Sequence, residues 1–185
     1  MALRQILTEP NKILREKSLK VNQVDEDLQK LMDNMLETMY AAPGIGLAAI
    51  QVGVPKRVIV LDIGWRDKPE SENDEKQKER KNPMYFVNPE IITKSANNST
   101  YEEGCLSVPG QFAEIERPDK CHIKYLDYYG QPKEIVAKGM FATCIQHEID
   151  HLEGILFIDY LSKLKKSMIV KKLLKQKEQL DRIVI

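Results

Sequence analysis

Apolar residues recur at helical spacing in three parts of the chain, with strand-like runs between them. Leu28, Leu31, Met32, Met35, Leu36 and Met39 follow Asp25-Glu26-Asp27, an acidic start suited to the positive end of a helix dipole. The pattern predicts an amphipathic helix of about four turns that ends near Ala41-Ala42, just before Pro43. Met140, Phe141, Cys144, Ile145 and Ile149 predict a second, largely buried helix from Gly139 to Leu152, with Gly154 as its C-cap. A third begins at about Ser162 and carries Leu164, Met168, Leu173, Leu174 and Leu180 among lysines. Between the first two, Arg57 to Asp62 reads as a buried strand, and strand-like sequence returns at Met84–Asn88 and Glu90–Thr93. Tyr101 to Pro109 is extended or turning, and Cys121 to Tyr128 alternates. Tyr129-Gly130-Gln131-Pro132 sits where a hairpin would turn into Glu134–Ala137. Strands grouped between helices, without regular βαβ alternation, predict an α+β fold with a mixed or antiparallel sheet wrapped around the second helix.

A length of 185 residues suits one domain spanning 1–185. Lys+Arg and Asp+Glu both number 28, so no whole-molecule field draws the chain to nucleic acid or an anionic membrane. From Trp65 to Pro83 the chain is charged and almost free of aliphatics, which predicts an exposed, flexible insertion with no catalytic role. Apolar runs fall far short of the ~20 residues that span a bilayer, and the opening residues lack a signal-peptide pattern. Three cysteines cannot all pair within one chain. A reduced, cytoplasmic setting is the expectation, with no membrane partner.

The most informative stretch is Gln146-His147-Glu148-Ile149-Asp150-His151. On a helix His147 and His151 lie one above the other, so two imidazoles can meet one cation. Glu148 lies off that axis, near enough to exchange a proton with metal-bound water, as in H-E-x-x-H hydrolases. A catalytic site needs a third ligand and an open position. The metzincin continuation fails because Phe157 stands where its third His would be. A thermolysin-like site needs a downstream Glu, and Glu178 is the only late one. His122, Cys121 and Cys105 all stay open as third ligands, with the Glu103-Gly104 turn favouring Cys105 modestly; Cys144 is expected beside the site. Gln51, read alone, is a surface amide ending a turn.

Gly44-Ile-Gly-Leu-Ala-Ala-Ile-Gln51, Glu103-Gly-Cys-Leu-Ser107 and Gln146-His-Glu-Ile-Asp-His151 resemble, in order and spacing, the three signature motifs of the bacterial peptide deformylases. The likeness runs from Ile6-Leu-Thr-Glu-Pro10 to the final helix. It implies one divalent metal ion held by Cys105, His147 and His151, with water in the fourth position. Fe²⁺ is the ion expected in the cell, and Zn²⁺, Ni²⁺ or Co²⁺ are compatible with the same donors. The implied reaction is hydrolysis of the N-formyl group from the initiator methionine of a nascent polypeptide, releasing formate. Glu148 would move the proton from metal-bound water to the departing amine. The Gln51 amide and the Leu106 backbone N–H would donate to the oxyanion.

The resemblance also assigns Gly44, Ile45, Gly46, Glu103, Gly104, Cys144 and His147 to the substrate. Gly44 and Gly46 let the backbone approach the peptide as an added strand. Ile45, Glu103, Cys144 and His147 surround the methionine pocket, with Tyr101 and Met140 lining it further out. Arg117 is expected in a structural ion pair. Phe112 stands where some members carry a basic residue. Lys163, Lys165, Lys166, Lys171, Lys172, Lys175 and Lys177 make the last helix (about 162–183) a ribosome contact, or simply a solvated face. The chain is expected to be monomeric, in a bacterial cytoplasm. The rivals are a metallopeptidase with a third ligand other than Cys105, and a closed structural metal site or ribosome-associated module that leaves Glu148 without work.

Overall fold

The Asp25 carboxylate accepts a hydrogen bond from the Leu28 backbone N–H at 2.8 Å and so caps helix α1, Glu26–Ala41. Its buried face carries Leu28, Leu31, Met32, Met35 and Met39. The computed structural model describes residues 2–64 and 81–183 of the chain. Residues 65–80, most of the predicted insertion, lie outside the described residues.

Strands β1 (Gly46–Ala48), β2 (Val58–Leu61), β3 (Met84–Lys94), β6 (Lys120–Leu126) and β7 (Pro132–Lys138) form a sheet in the order β1-β2-β3-β6-β7. β4 (Asn98–Cys105) and β5 (Val108–Pro118) pair separately as a long hairpin. Every pairing between these strands is antiparallel, so the sheet is not mixed. A lone parallel bridge joins Leu19 to Lys56.

β2 explains why its apolar run is continuous. Val58 and Val60 pack with the α1 core, whereas Ile59 and Leu61 pack with the core under helix α2, Gly139–Leu152. Successive strand side chains point to opposite faces, and here both faces are covered. A sheet clothed by α1 on one side and α2 on the other therefore places α2 near the middle of the molecule. Ten of its residues are buried, among them His147, Glu148 and His151.

One strand prediction needs correction, and another is filled in. Met84–Asn88 and Glu90–Thr93 belong to one strand, β3, kinked where Asn88 takes a left-handed φ of 51° and the register shifts. The Asn88 side chain makes two 2.8 Å hydrogen bonds to the Val21 backbone, which anchors the kink. The segment from Tyr101 to Pro109 is the end of β4, a turn at Leu106-Ser107 and the start of β5, which runs on to Pro118. β5 alternates buried Ile115 and Arg117 with exposed Glu114 and Glu116, a pattern too polar to announce a strand.

The last helix, α3 (Lys163–Ile183), touches the body less than its leucines suggest. Leu173 is buried against Val108, Ile115 and Phe157, while Leu164 and Met168 are exposed. Among the described residues no helix is long and apolar enough to cross a membrane.

Candidate metal centre

α2 presents His147 and His151 one turn apart, their ring centroids 5.0 Å from each other. β4 ends at Cys105, where the register shifts, pairing Cys105 with Val108, and the chain turns. Cys105 Sγ lies 3.3 Å from His151 Nε2. The ligand atoms of Cys105, His147 and His151 all lie within 4.8 Å of one another, and no fourth His, Cys, Asp or Glu joins them among the described residues.

The other proposed ligands lie elsewhere. His122, on β6, pairs with Glu134 at 2.9 Å near the surface. Cys121 is buried, and burial pushes its thiol up to about 11. Cys144 lines the cavity beside the three donors, but burial and then the Glu148 charge push its thiol up to about 12, so it stays neutral.

Glu103 on β4 fixes the first imidazole: its Oε2 sits 2.8 Å from His147 Nδ1, which leaves Nε2 toward the cysteine and the cavity. Arg117 on β5 binds both Glu103 oxygens, through Nε at 2.5 Å and Nη2 at 3.0 Å, and also reaches Asp150 at 2.7 Å. Arg117 is 4% exposed. The ion pair expected there is thus buried, and it props the carboxylate that orients His147.

The protein groups alone hold this cluster in an uneven charge state. Burial disfavours the His147 cation, but hydrogen bonds to Cys105 and Glu103 outweigh it and keep its pKa well above the ordinary value. Burial, then the His147 charge, holds His151 well below. Sulfur and nitrogen donors of this kind fit a divalent transition metal, and their number leaves a coordination position open.

Glu148 is buried beside them, and its Oε2 has no hydrogen-bond partner. Burial pushes its carboxyl up to about 7, a value suited to taking and returning a proton near neutrality. Gly46 on β1 lies against it: a Cβ there would collide with the carboxylate. Likewise a Cβ on Gly44 would stand 2.7 Å from Leu106 Cδ1.

Gln51 is no surface amide. It is 1% exposed, its Oε1 accepts from the Ala48 N–H at 2.8 Å, and its Nε2 donates to Ser107 Oγ at 3.0 Å. The same nitrogen lies 3.6 Å from Cys105 Sγ. Ser107 also gives its own N–H to that sulfur at 3.4 Å. Sequence reasoning missed Ser107, and the visible signal was its place two residues after Cys105.

These groups open on a cavity of about 480 Å³. Gly44, Ile45, Gly46, Glu103, Gly104 and Cys144 line it, as do His147, Gln51, Leu106 and Glu148. Tyr101 and Met140 form part of its wall too. His151 lies behind the cavity and does not line it.

An H-E-x-x-H helix closed by a cysteine from a neighbouring hairpin, with a buried carboxylate facing a largely apolar cavity, defines a metal-dependent hydrolase. The family model of polypeptide deformylase matches residues 3–167. A peptide deformylase of Pelagibacter ubique is 59% identical over 185 residues, covering all of both chains. One from Maricaulis maris is 58% identical over 98% of each. Among solved structures, peptide deformylase from Ehrlichia chaffeensis in complex with actinonin superposes with a TM-score of 0.85 at 42% identity, covering 95% of this chain and 98% of that one. The chain belongs to the polypeptide deformylase family: it is a metal-dependent enzyme that removes the formyl group from an N-terminal methionine.

Proposed function

We propose that this chain, acting as a single catalytic unit over residues 1–185, releases formate from N-formyl-methionyl nascent peptides by the roles that follow. The observation that carries the reading is the convergence of Cys105, His147 and His151 beside a buried, unpartnered Glu148 oxygen. Cys105 Sγ, His147 Nε2 and the His151 ring would hold one divalent ion. When bound, that ion lowers the pKa of a coordinated water toward ~7 and polarises the formyl oxygen.

The chain's own groups do the rest. Glu148 takes the proton from the attacking water and hands it to the departing methionine amine. Its elevated pKa suits both halves of that transfer. Gln51 cannot turn its amide over, because Oε1 is held by the Ala48 N–H. Its Nε2 therefore faces the cysteine, where the N–H held only loosely by sulfur at 3.6 Å can donate to an oxyanion. The Leu106 backbone N–H is the second donor. Ile45, Cys144 and Met140 offer an apolar hole for the thioether, and the glycine pair at 44 and 46 lets the peptide backbone lie close.

Mixed thiolate and imidazole donors suit Fe²⁺ as the cellular ion and also accept Zn²⁺, Ni²⁺ and Co²⁺. The reading places the enzyme in a bacterial cytoplasm as a monomer. It extends to the ribosome through α3, whose lysines are largely exposed. Lys166 is an exception in part, since its Nζ pairs with Asp159 at 2.5 Å.

The test is formate release from a short N-formyl-methionyl peptide by protein prepared without oxygen and loaded separately with Fe²⁺, Ni²⁺ and Zn²⁺. Metal-dependent formate with little acetate from an N-acetyl control is expected. Folded, metal-loaded protein that yields no formate would overturn the reading.

A further inference from the structure

A second cavity, of about 510 Å³, shares no lining residue with the one at the metal centre. Its walls are Asp33 on α1, Tyr85 on β3, Tyr125 on β6, and Asp127, Tyr128 and Tyr129 in the turn between β6 and β7. Tyrosines and carboxylates meet there, and no Lys, Arg or His lines the space among the described residues.

The rings stand as walls rather than as a stack. Tyr85 and Tyr128 have centroids 4.9 Å apart at 61°, and Tyr128 and Tyr129 lie 5.2 Å apart at 81°. Tyr85 and Tyr128 pack against the α1 core, which fixes them, whereas Tyr129 is 74% exposed. That exposure is not slackness of the turn: Asp127 Oδ1 accepts the N–H groups of Tyr129 and Gln131, both at 2.9 Å. A large ring is therefore held at the cavity with most of its surface open to solvent, a setting that marks interaction sites.

The charge around the rings is negative. Asp33 Oδ2 accepts from the Tyr128 hydroxyl at 3.2 Å, which leaves Oδ1 for another donor. Asp127 Oδ2 faces the exposed Lys133 Nζ at 4.0 Å, the outer limit of an ion pair. Burial, then the charge of Asp33, pushes the Tyr85 hydroxyl up to about 12. Ring faces attract cations, and more strongly where water is partly excluded. Guanidinium is planar and weakly hydrated, so it stacks on a ring while its edge donates to carboxylates; ammonium is a strongly hydrated point charge. The cavity is open on the Tyr129 side, so it covers one side chain instead of enclosing a free molecule.

We propose that this cavity is a docking site for an arginine side chain of a partner polypeptide. The guanidinium lies on a tyrosine face and gives N–H groups to Asp33 and Asp127, while its methylenes cover the rings. The site is separate from the metal centre and adds a partner without entering the reaction.

The test titrates isotope-labelled, Zn²⁺-loaded full-length protein with N-acetyl-Gly-Arg-Gly amide, with its lysine and citrulline counterparts, and with methylguanidinium. The arginine peptide should shift the amide signals of Tyr129, Gly130 and Gln131 saturably, in the millimolar range and less at high salt. The lysine peptide should bind roughly threefold more weakly, and the neutral citrulline peptide should not saturate. Tyr129→Ala should weaken arginine binding by about fivefold, and Tyr129→Phe should keep it. Asp127→Asn, which retains the acceptor oxygen of the turn and removes the charge, should also weaken it by about fivefold. Formate release from a short formyl-methionyl peptide should be unchanged in all three variants. No saturable shift with the arginine peptide, an equal response to citrulline, or unaltered affinity in Tyr129→Ala would overturn the site. Equal affinity for the lysine peptide would overturn the guanidinium assignment, and methylguanidinium binding as tightly as the peptide would overturn the polypeptide partner.

Discussion

Glu103 Oε2 and His147 Nδ1 lie 2.8 Å apart, across 44 residues of chain, with both side chains buried. The carboxylate selects the imidazole nitrogen that remains to face the cysteine, and Arg117 in turn holds the carboxylate by both oxygens. Glu103→Gln should therefore weaken metal affinity by about 10- to 100-fold, the usual cost of losing an orienting partner. Competition with a chelator of known affinity measures this. Arg117→Met should act differently, by stranding a buried charge, and lower stability by about 3–5 kcal/mol in urea unfolding.

Glu148→Gln removes the proposed proton carrier and leaves the three donors in place. Turnover should fall by at least about 10²-fold, the low end of what a general acid–base group supplies. Metal content, measured on the same sample, should be unchanged. Ordinary turnover in the variant would remove Glu148 from its role.

Gln51 and Ser107 form the next pair to separate. Gln51→Ala should lower kcat by about 10²–10³-fold, as for other oxyanion donors, with little change in metal content. Ser107→Ala frees the Gln51 amide from its 3.0 Å partner without removing the donor, so its loss should be smaller. A kcat loss in Ser107→Ala equal to that in Gln51→Ala would assign the donor role to the hydroxyl.

Away from the site, Asp159 carries a pH-dependent share of stability. Burial acts to raise its pKa, but Lys166, the Leu156 N–H and Arg15 outweigh this and hold it below the ordinary carboxylate value. A lowered folded-state pKa contributes stability that is fully present above the unfolded pKa of about 4 and fades as pH falls through the depressed value. Asp159→Asn should thus be less stable than the parent at neutral pH, with the gap closing below about pH 4. Urea midpoints at neutral and acid pH provide the comparison, and a pH-independent gap would tie the loss to packing.

The parts of this fold legible in the sequence are those built from local periodicity. α1 and α2 announce themselves through apolar spacing, and the two histidines one turn apart point to a cation before any tertiary contact is known. The hairpin β4–β5 was less legible, because one face is solvated and Glu114 and Glu116 interrupt the pattern. Spacing alone left Cys105, Cys121 and His122 open, since only the turn after β4 brings a sulfur to α2. Arg117 illustrates the same limit. The sequence predicts a structural ion pair for this arginine but not its partners, which lie 14 residues away on β4 and 33 away on α2 and are met only when the hairpin forms and packs on that helix.

Gly46 sits where any larger residue would strike the Glu148 carboxylate. The wall behind the proposed base is therefore bare backbone. Its position depends on a missing atom: even alanine, the smallest step in sequence, would push the Glu148 carboxylate from its place. A stretch that looks permissive for its glycines thus sets, at this one point, where the proposed base can stand.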